Sequence, residues 1–146
     1  MKRIIETLSF FAFPASVLFA HLIAIQIFNL YYFLPNLDMP FHFIGGFSIA
    51  YTASKILSYF EDEKIIARLN EFVFLLLLFS LTAATAAFWE FAEFGMDRLL
   101  GSNVQVSLAN TMQDQFLGIC GGAAWALIYT LLRKTDRRDF QRKQSL

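Results

Sequence analysis

Four long runs of mainly apolar residues alternate with three shorter polar segments along the chain. The runs cover about residues 8–34, 41–60, 72–98 and 111–132. Each reaches the ~17–25 residues that a helix needs to cross a bilayer. The first run is too long for the ~7–15-residue core of a cleavable signal, and no small-x-small site follows it, so it is expected to be a retained helix. Pro14 removes a backbone donor and is expected to bend that helix, while Tyr31 and Tyr32 suit an interfacial aromatic belt. Pro40 suits the first turn of the second helix. On that helix His42, Gly46, Ala50 and Ala53 share one face, where a neighbour can approach closely. The third helix would be ~40 Å long against a hydrocarbon core of ~30 Å, so it must tilt or project. Gly118 and Gly122 form a G-x-x-x-G in the fourth, with Gly121 and Ala124 as small neighbours.

Between the runs, Asn36 to Pro40 is a short connection, Glu61 to Glu71 reads as a charged surface helix, and Gly101 to Asn110 is a polar loop. The expected fold is all-α: a polytopic transmembrane bundle of four helices in residues 1–132. A basic, partly disordered tail follows in 133–146.

Composition sharpens this picture. Hydrophobic residues make up 57% and charged residues 16% of 146, with eighteen Phe; soluble domains carry ~25% charged residues. A soluble domain of this size could not bury that much apolar surface. The net charge of zero leaves no global field for nucleic acid, and a basic tail beside a span is explained by anionic lipid. Membrane lipid is the expected partner, nucleic acid is not, and a homo-oligomer stays open. The single Cys120 excludes an intrachain disulfide. Of twelve Lys and Arg residues, all but Arg98 fall on one side of a four-span arrangement. The positive-inside rule then puts both termini in the cytoplasm of a multi-pass protein of the inner (plasma) membrane.

Candidate chemistry lies in Trp89-Glu90-Phe91-Ala92-Glu93-Phe94-Gly95-Met96-Asp97, at the end of the most apolar run. At 100° per residue Glu90, Glu93 and Asp97 fall at about 0°, −60° and −20°, on one face that Ala83, Ala86 and Ala87 continue. A charge near lipid costs at least ~2–3 kcal/mol, so carboxylates there point to a function. The topology brings Asp38, His42, Asn110 and Asp114 to the same outer level, with Arg98 beside them and His21 able to approach from the first helix. Plainer roles stand beside this one. Asp38 suits an N-cap, Thr111 and Asp114 match a capping box, Asp97 could pair with Arg98, and Trp89 suits an interfacial anchor.

Asp38-Met-Pro-Phe-His42 with Gly45-Gly46, Trp89-Glu90-x-x-Glu93-x-x-x-Asp97, and Asn110-Thr111-x-x-Asp114 with Gly118 together resemble the YjdF-like family of small bacterial integral membrane proteins. The chain is more distantly similar to VanZ-like proteins. The resemblance covers about residues 38–125 and implies a four- or five-helix membrane fold in the cell envelope. VanZ-like proteins are associated with glycopeptide-antibiotic resistance, which links the envelope or its lipids by analogy. The family's third block usually begins with Asp; Asn110 here removes one anionic ligand.

Three functions compete. In the first, Glu90, Glu93, His42 and Asp114 hold a divalent cation (Mg²⁺, Mn²⁺ or Zn²⁺), whose charge lets neighbouring carboxylates ionise together. The cation binds or processes a lipid or envelope head group, with Arg98 on a phosphate. In the second, the acids carry protons or cations in transport, although Thr52, Ser54, Thr82 and Thr85 make a poor path. In the third, the cluster is a neutral hydrogen-bonded network of a structural or accessory protein. Whether the chain is an enzyme is left open.

Overall fold

A computed structural model describes residues 8–26, 33–34, 36–101, 104–105 and 107–144, with side chains through 24 in the first helix and through 133 in the last. Among these residues the chain is all-helical: α1 (Ala12–Gln26), α2 (Asp38–Asp62), α3 (Glu71–Leu100) and α4 (Leu108–Gln144). Successive helices run in opposite directions. Thr52 Oγ1 donates to Phe10 O at the lower end of α1, and His21 meets Phe41 at its upper end. Likewise Trp125 Nε1 donates to Ser54 Oγ, and the rings of Phe74 and Tyr129 stack with centroids 4.9 Å apart.

Local chemistry accounts for the helix ends. Asn70 caps α3 by accepting the Val73 N–H, and Gly101 closes it in the left-handed conformation at φ 67°. Ser107 Oγ accepts the Asn110 N–H and so caps α4. That placement puts Thr111 and Asp114 inside the helix and removes the capping-box role considered for them. Leu37 precedes α2 without a side-chain cap, so Asp38 is the first helical residue, not an N-cap.

Other sequence expectations also change. Pro14 lies in the first turn of α1, where no intrahelical acceptor awaits its missing N–H, so it does not interrupt the helix. The rest of the first apolar run, including Tyr31 and Tyr32, lies outside the described residues. The segment 63–70 forms turns and extended chain in place of a surface helix. Glu61 Oε1 holds it by accepting the Leu69 N–H at 2.7 Å. The backbone of α4 continues through the basic tail to Gln144.

Two helices, Glu71–Leu100 and Leu108–Arg133, are long and apolar enough to cross a membrane. The apolar part of α1, Ala12–Ala24, is shorter. α2 carries Ser48, Tyr51, Thr52, Ser54 and Lys55, which lower its hydropathy while its small residues serve packing. Burial runs opposite to that of a soluble domain. Phe79, Phe88, Phe91, Phe116 and Leu131 are exposed, whereas His42, Ser48, Thr82, Glu90, Glu93 and Asp114 are buried. A large exposed apolar surface suits hydrocarbon surroundings.

Glycines set how near the helices come. A Cβ on Gly46 would fall on the Gly118 carbonyl, and one on Gly121 would fall on the Phe43 carbonyl. A Cβ on Gly122 would stand 2.6 Å from Thr82 Cγ2. The G-x-x-x-G of α4 therefore faces α2 and α3 together. The expected small-residue face of α2 is buried throughout, at His42, Gly46, Ala50 and Ala53.

Candidate metal and polar site

Above this glycine contact, three helices deliver ionisable groups to one place. α2 brings Asp38 and His42 one turn apart. α3 brings Glu90 and Glu93, also one turn apart, and α4 brings Asp114 from its second turn. Glu90, Glu93 and Asp114 are 2%, 3% and 1% exposed, so bulk solvent does not reach them.

The His42 ring stands between two sets of carboxylates. Nδ1 lies 3.8 Å from Glu90 Oε1. Nε2 lies 3.3 Å from Asp38 Oδ1 and 4.0 Å from Asp114 Oδ2. One donor atom from each of His42, Glu90 and Glu93 lies within 4.8 Å of the other two. The same holds for Asp38, His42 and Asp114. Ligands on one cation at ~2.1 Å stand roughly 3–4 Å apart, so a small contraction would bring either set to bonding range.

Four buried atoms here have no hydrogen-bond partner: His42 Nε2, both Glu90 carboxylate oxygens and Asp114 Oδ1. Buried polar groups are nearly always paired, and an orphan costs about 1–3 kcal/mol, more when charged. Glu93 differs, because Trp89 Nε1 donates to its Oε1 at 2.7 Å. Trp89 therefore faces inward, against its expected role as an interfacial anchor. It also packs edge-on against His21, which is 5% exposed, with ring centroids 5.6 Å apart. Sequence reasoning missed the Trp89–Glu93 bond, although their i, i+4 spacing was a signal for it.

The remaining expected site residues lie around this centre. Asp97 accepts the backbone N–H groups of Val104 and Gln105 at 2.7 and 2.8 Å, which ties down the α3–α4 connection. Its carboxylate serves that loop and does not belong to either donor set. Gln105 Nε2 reaches back to Glu90 O at 3.5 Å. Asn110 is half-buried in the first turn of α4, one turn before Asp114. Arg98 is exposed, its guanidinium 5.2 Å from the Phe94 ring centroid.

Beside the cluster, between α1, α2 and α3, lies a cavity of about 320 Å³. Its walls are mainly apolar, and His42 is the residue that it shares with the two donor sets.

Comparison with known proteins adds a family. Residues 4–135 match a family described as "Predicted membrane protein (DUF2238)". The chain is also similar to an uncharacterised protein of Thermotoga maritima, 36% identical over 135 residues, or 90% of this chain. It spans 66% of that relative's length. No solved structure gives a significant match.

Proposed function

The chain belongs to the DUF2238 family of predicted membrane proteins, and from that premise we propose that its acidic–His cluster is a divalent-cation site for a lipid or envelope head group. The proposal includes four spans, both termini in the cytoplasm of a plasma-membrane protein, and a cluster facing outward. It also includes the likeness to YjdF-like and, more distantly, VanZ-like proteins.

One observation carries the cation reading. Both oxygens of the buried Glu90 lack a donor, with an imidazole nitrogen and a second carboxylate close by. A cation would satisfy all three groups at once. His42 Nδ1, Glu90 and Glu93 would be its ligands. Asp38 and Asp114, on the Nε2 side, would hold and orient the imidazole as carboxylates do at histidine–metal centres. Asp114, grouped with the ligands on sequence grounds, thus takes a supporting position. Mixed carboxylate and imidazole donors suit Mg²⁺, Mn²⁺ or Zn²⁺. Such a cation could polarise a phosphoryl oxygen or activate a water.

A neutral network is the second reading: a protonated Glu90 would carry its own donor, with the side chains of Gln105 and Thr111 beside it. Transport has less support still. Thr82, Thr85 and Ser54 spend their hydroxyl protons on their own helix carbonyls, and Thr52 spends its own on Phe10 O. They form no relay below Glu90.

The test is calorimetric titration of Mg²⁺, Mn²⁺ and Zn²⁺ into metal-stripped protein, in two buffers of different ionisation enthalpy. Saturable binding with proton release, lost in a folded Glu90→Gln variant, is expected. Folded protein that saturates with none of the three would retire the cation site and restore the structural network.

A further inference from the structure

The cavity beside the cluster has the shape and chemistry of a hydrocarbon slot. Its length follows from the segment that lines it, from Phe11 just before α1 to His21 within it, about 15 Å at the helical rise. That is half of a ~30 Å hydrocarbon core, the depth of one leaflet. The lower walls include Phe11, Pro14 and Ile49, and Gly46, Gly118 and Ala86 also line it where the helices close together. At the upper end stand His21, Phe41, Trp89 and His42. His42 carries the slot into the carboxylate cluster, and Trp89 does so through its bond to Glu93. At about 320 Å³ it falls within the range of small-molecule sites.

Packing alone would have filled this space. A Cβ on Gly45, which lines the slot, meets nothing within 4 Å. Gly46, one residue on, has no room for one. Gly45 therefore keeps open a volume that a larger residue could occupy without collision.

We propose that the slot holds one hydrocarbon chain of a membrane phospholipid, positioned so that the lipid's phosphate reaches the cation at His42, Glu90 and Glu93. The proposal rests on the cation reading. The polar end explains why the head must be anionic. A bare carboxylate cluster repels a phosphate, whereas a divalent ion between the two binds both. The apolar lower end excludes a free sugar or phosphate as the whole ligand, since neither would cover the Phe11–Ile49 walls.

The experiment measures retention of dioleoylphosphatidylglycerol by native mass spectrometry of Mn²⁺-loaded protein in detergent. Wild-type protein should hold one lipid per chain. Gly45→Leu fills the slot and raises helix propensity. It should weaken retention at least tenfold while leaving the Mn²⁺ titration unchanged. Metal-stripped wild type should also weaken at least tenfold. Dioleoylglycerol, which lacks the phosphate, should show no Mn²⁺ dependence. Equal retention by wild type and a Mn²⁺-binding Gly45→Leu variant overturns the slot and leaves the cation site standing. Retention that ignores Mn²⁺ overturns the phosphate contact. A wild type that binds none of Mn²⁺, Mg²⁺ and Zn²⁺ defeats the cation reading, and the phosphate contact falls with it. Should Gly45→Leu not fold, a phosphatidylglycerol with a mid-chain diazirine serves with the unaltered protein. Saturable labelling of Ile49, competed by unlabelled lipid, supports the slot. Labelling confined to outward residues such as Phe79 and Phe88 overturns it.

Discussion

His42 Nδ1 and Glu90 Oε1 face each other across the α2–α3 interface at 3.8 Å, and neither oxygen of Glu90 completes a well-formed hydrogen bond, although the side chains of Gln105 and Thr111 lie beside it. The two residues are 48 positions apart in sequence. Their approach depends on the Gly46–Gly118 and Gly122–Thr82 contacts, which draw α2 and α3 onto α4 just below them. Fixing an unsatisfied buried carboxylate beside an imidazole is costly for a fold. A ligand that completes both groups offsets that cost.

Removal of the cation ligands should follow a graded order. Glu90→Gln should abolish saturable Mn²⁺ binding. Trp89→Phe keeps the ring and deletes only the N–H on Glu93 Oε1, so it should weaken binding about 10–100-fold. Asp38→Asn should fall in the same range, because it removes the negative charge that faces Nε2 at 3.3 Å. Calorimetry on the three variants checks the order. Loss from Asp38→Asn that exceeds loss from Glu90→Gln would move the ion to the Nε2 side of the ring.

The glycines should sort by what stands opposite them. Gly46→Ala and Gly121→Ala each drive a methyl into backbone, and overpacking typically costs about 1–3 kcal/mol or more. Gly95→Ala meets open space and should be neutral or slightly stabilising. Gly122→Leu should be worse than Cys120→Leu, since Thr82 blocks Gly122 while Cys120 is only half-buried. Graded heat challenge in detergent reads the ranking. Equal survival of Gly46→Ala and Gly95→Ala would mean that α2 and α4 are further apart than described.

Asp97 belongs to the loop, and its variant should behave accordingly. Asp97→Ala removes the acceptor of two backbone N–H groups and should cost about 1–3 kcal/mol. Mn²⁺ stoichiometry should stay at the wild-type value. A folded Asp97→Ala protein that no longer binds Mn²⁺ would place Asp97 among the ligands after all.

Orientation is tested by labelling. In a Cys120→Ala background, cysteine at position 107 in place of Ser107 should react with an impermeant maleimide in intact cells, and cysteine in place of Ser145 should not. The basis is the proposed four-span arrangement, in which all Lys and Arg except Arg98 would fall on the opposite side. The reverse pattern would turn the cluster toward the cytoplasm.

The sequence by itself determined the existence of the four long helices and the buried faces of α2 and α3. A 3.6-residue period places Glu90 with Glu93 and His42 with Gly46 whatever surrounds them. The cost of charge near hydrocarbon then makes those faces turn inward. Composition likewise announced the apolar exterior, because eighteen Phe residues exceed what so small an interior can cover. Partnership between side chains was decided only by the tertiary structure. Whether Asp38 caps its helix or turns to His42 depends on where α2 begins. Whether Asp97 joins the acids or holds residues 104 and 105 depends on the path of a loop with no periodic signal. The slot beside His42 depends on how far α1 stands from α2 and α3. Each of these follows from the rotation and axial offset of one helix against another, set by the summed packing of glycines, threonines and aromatic rings. A local period carries the direction in which a side chain points, and only the packed bundle supplies what it meets.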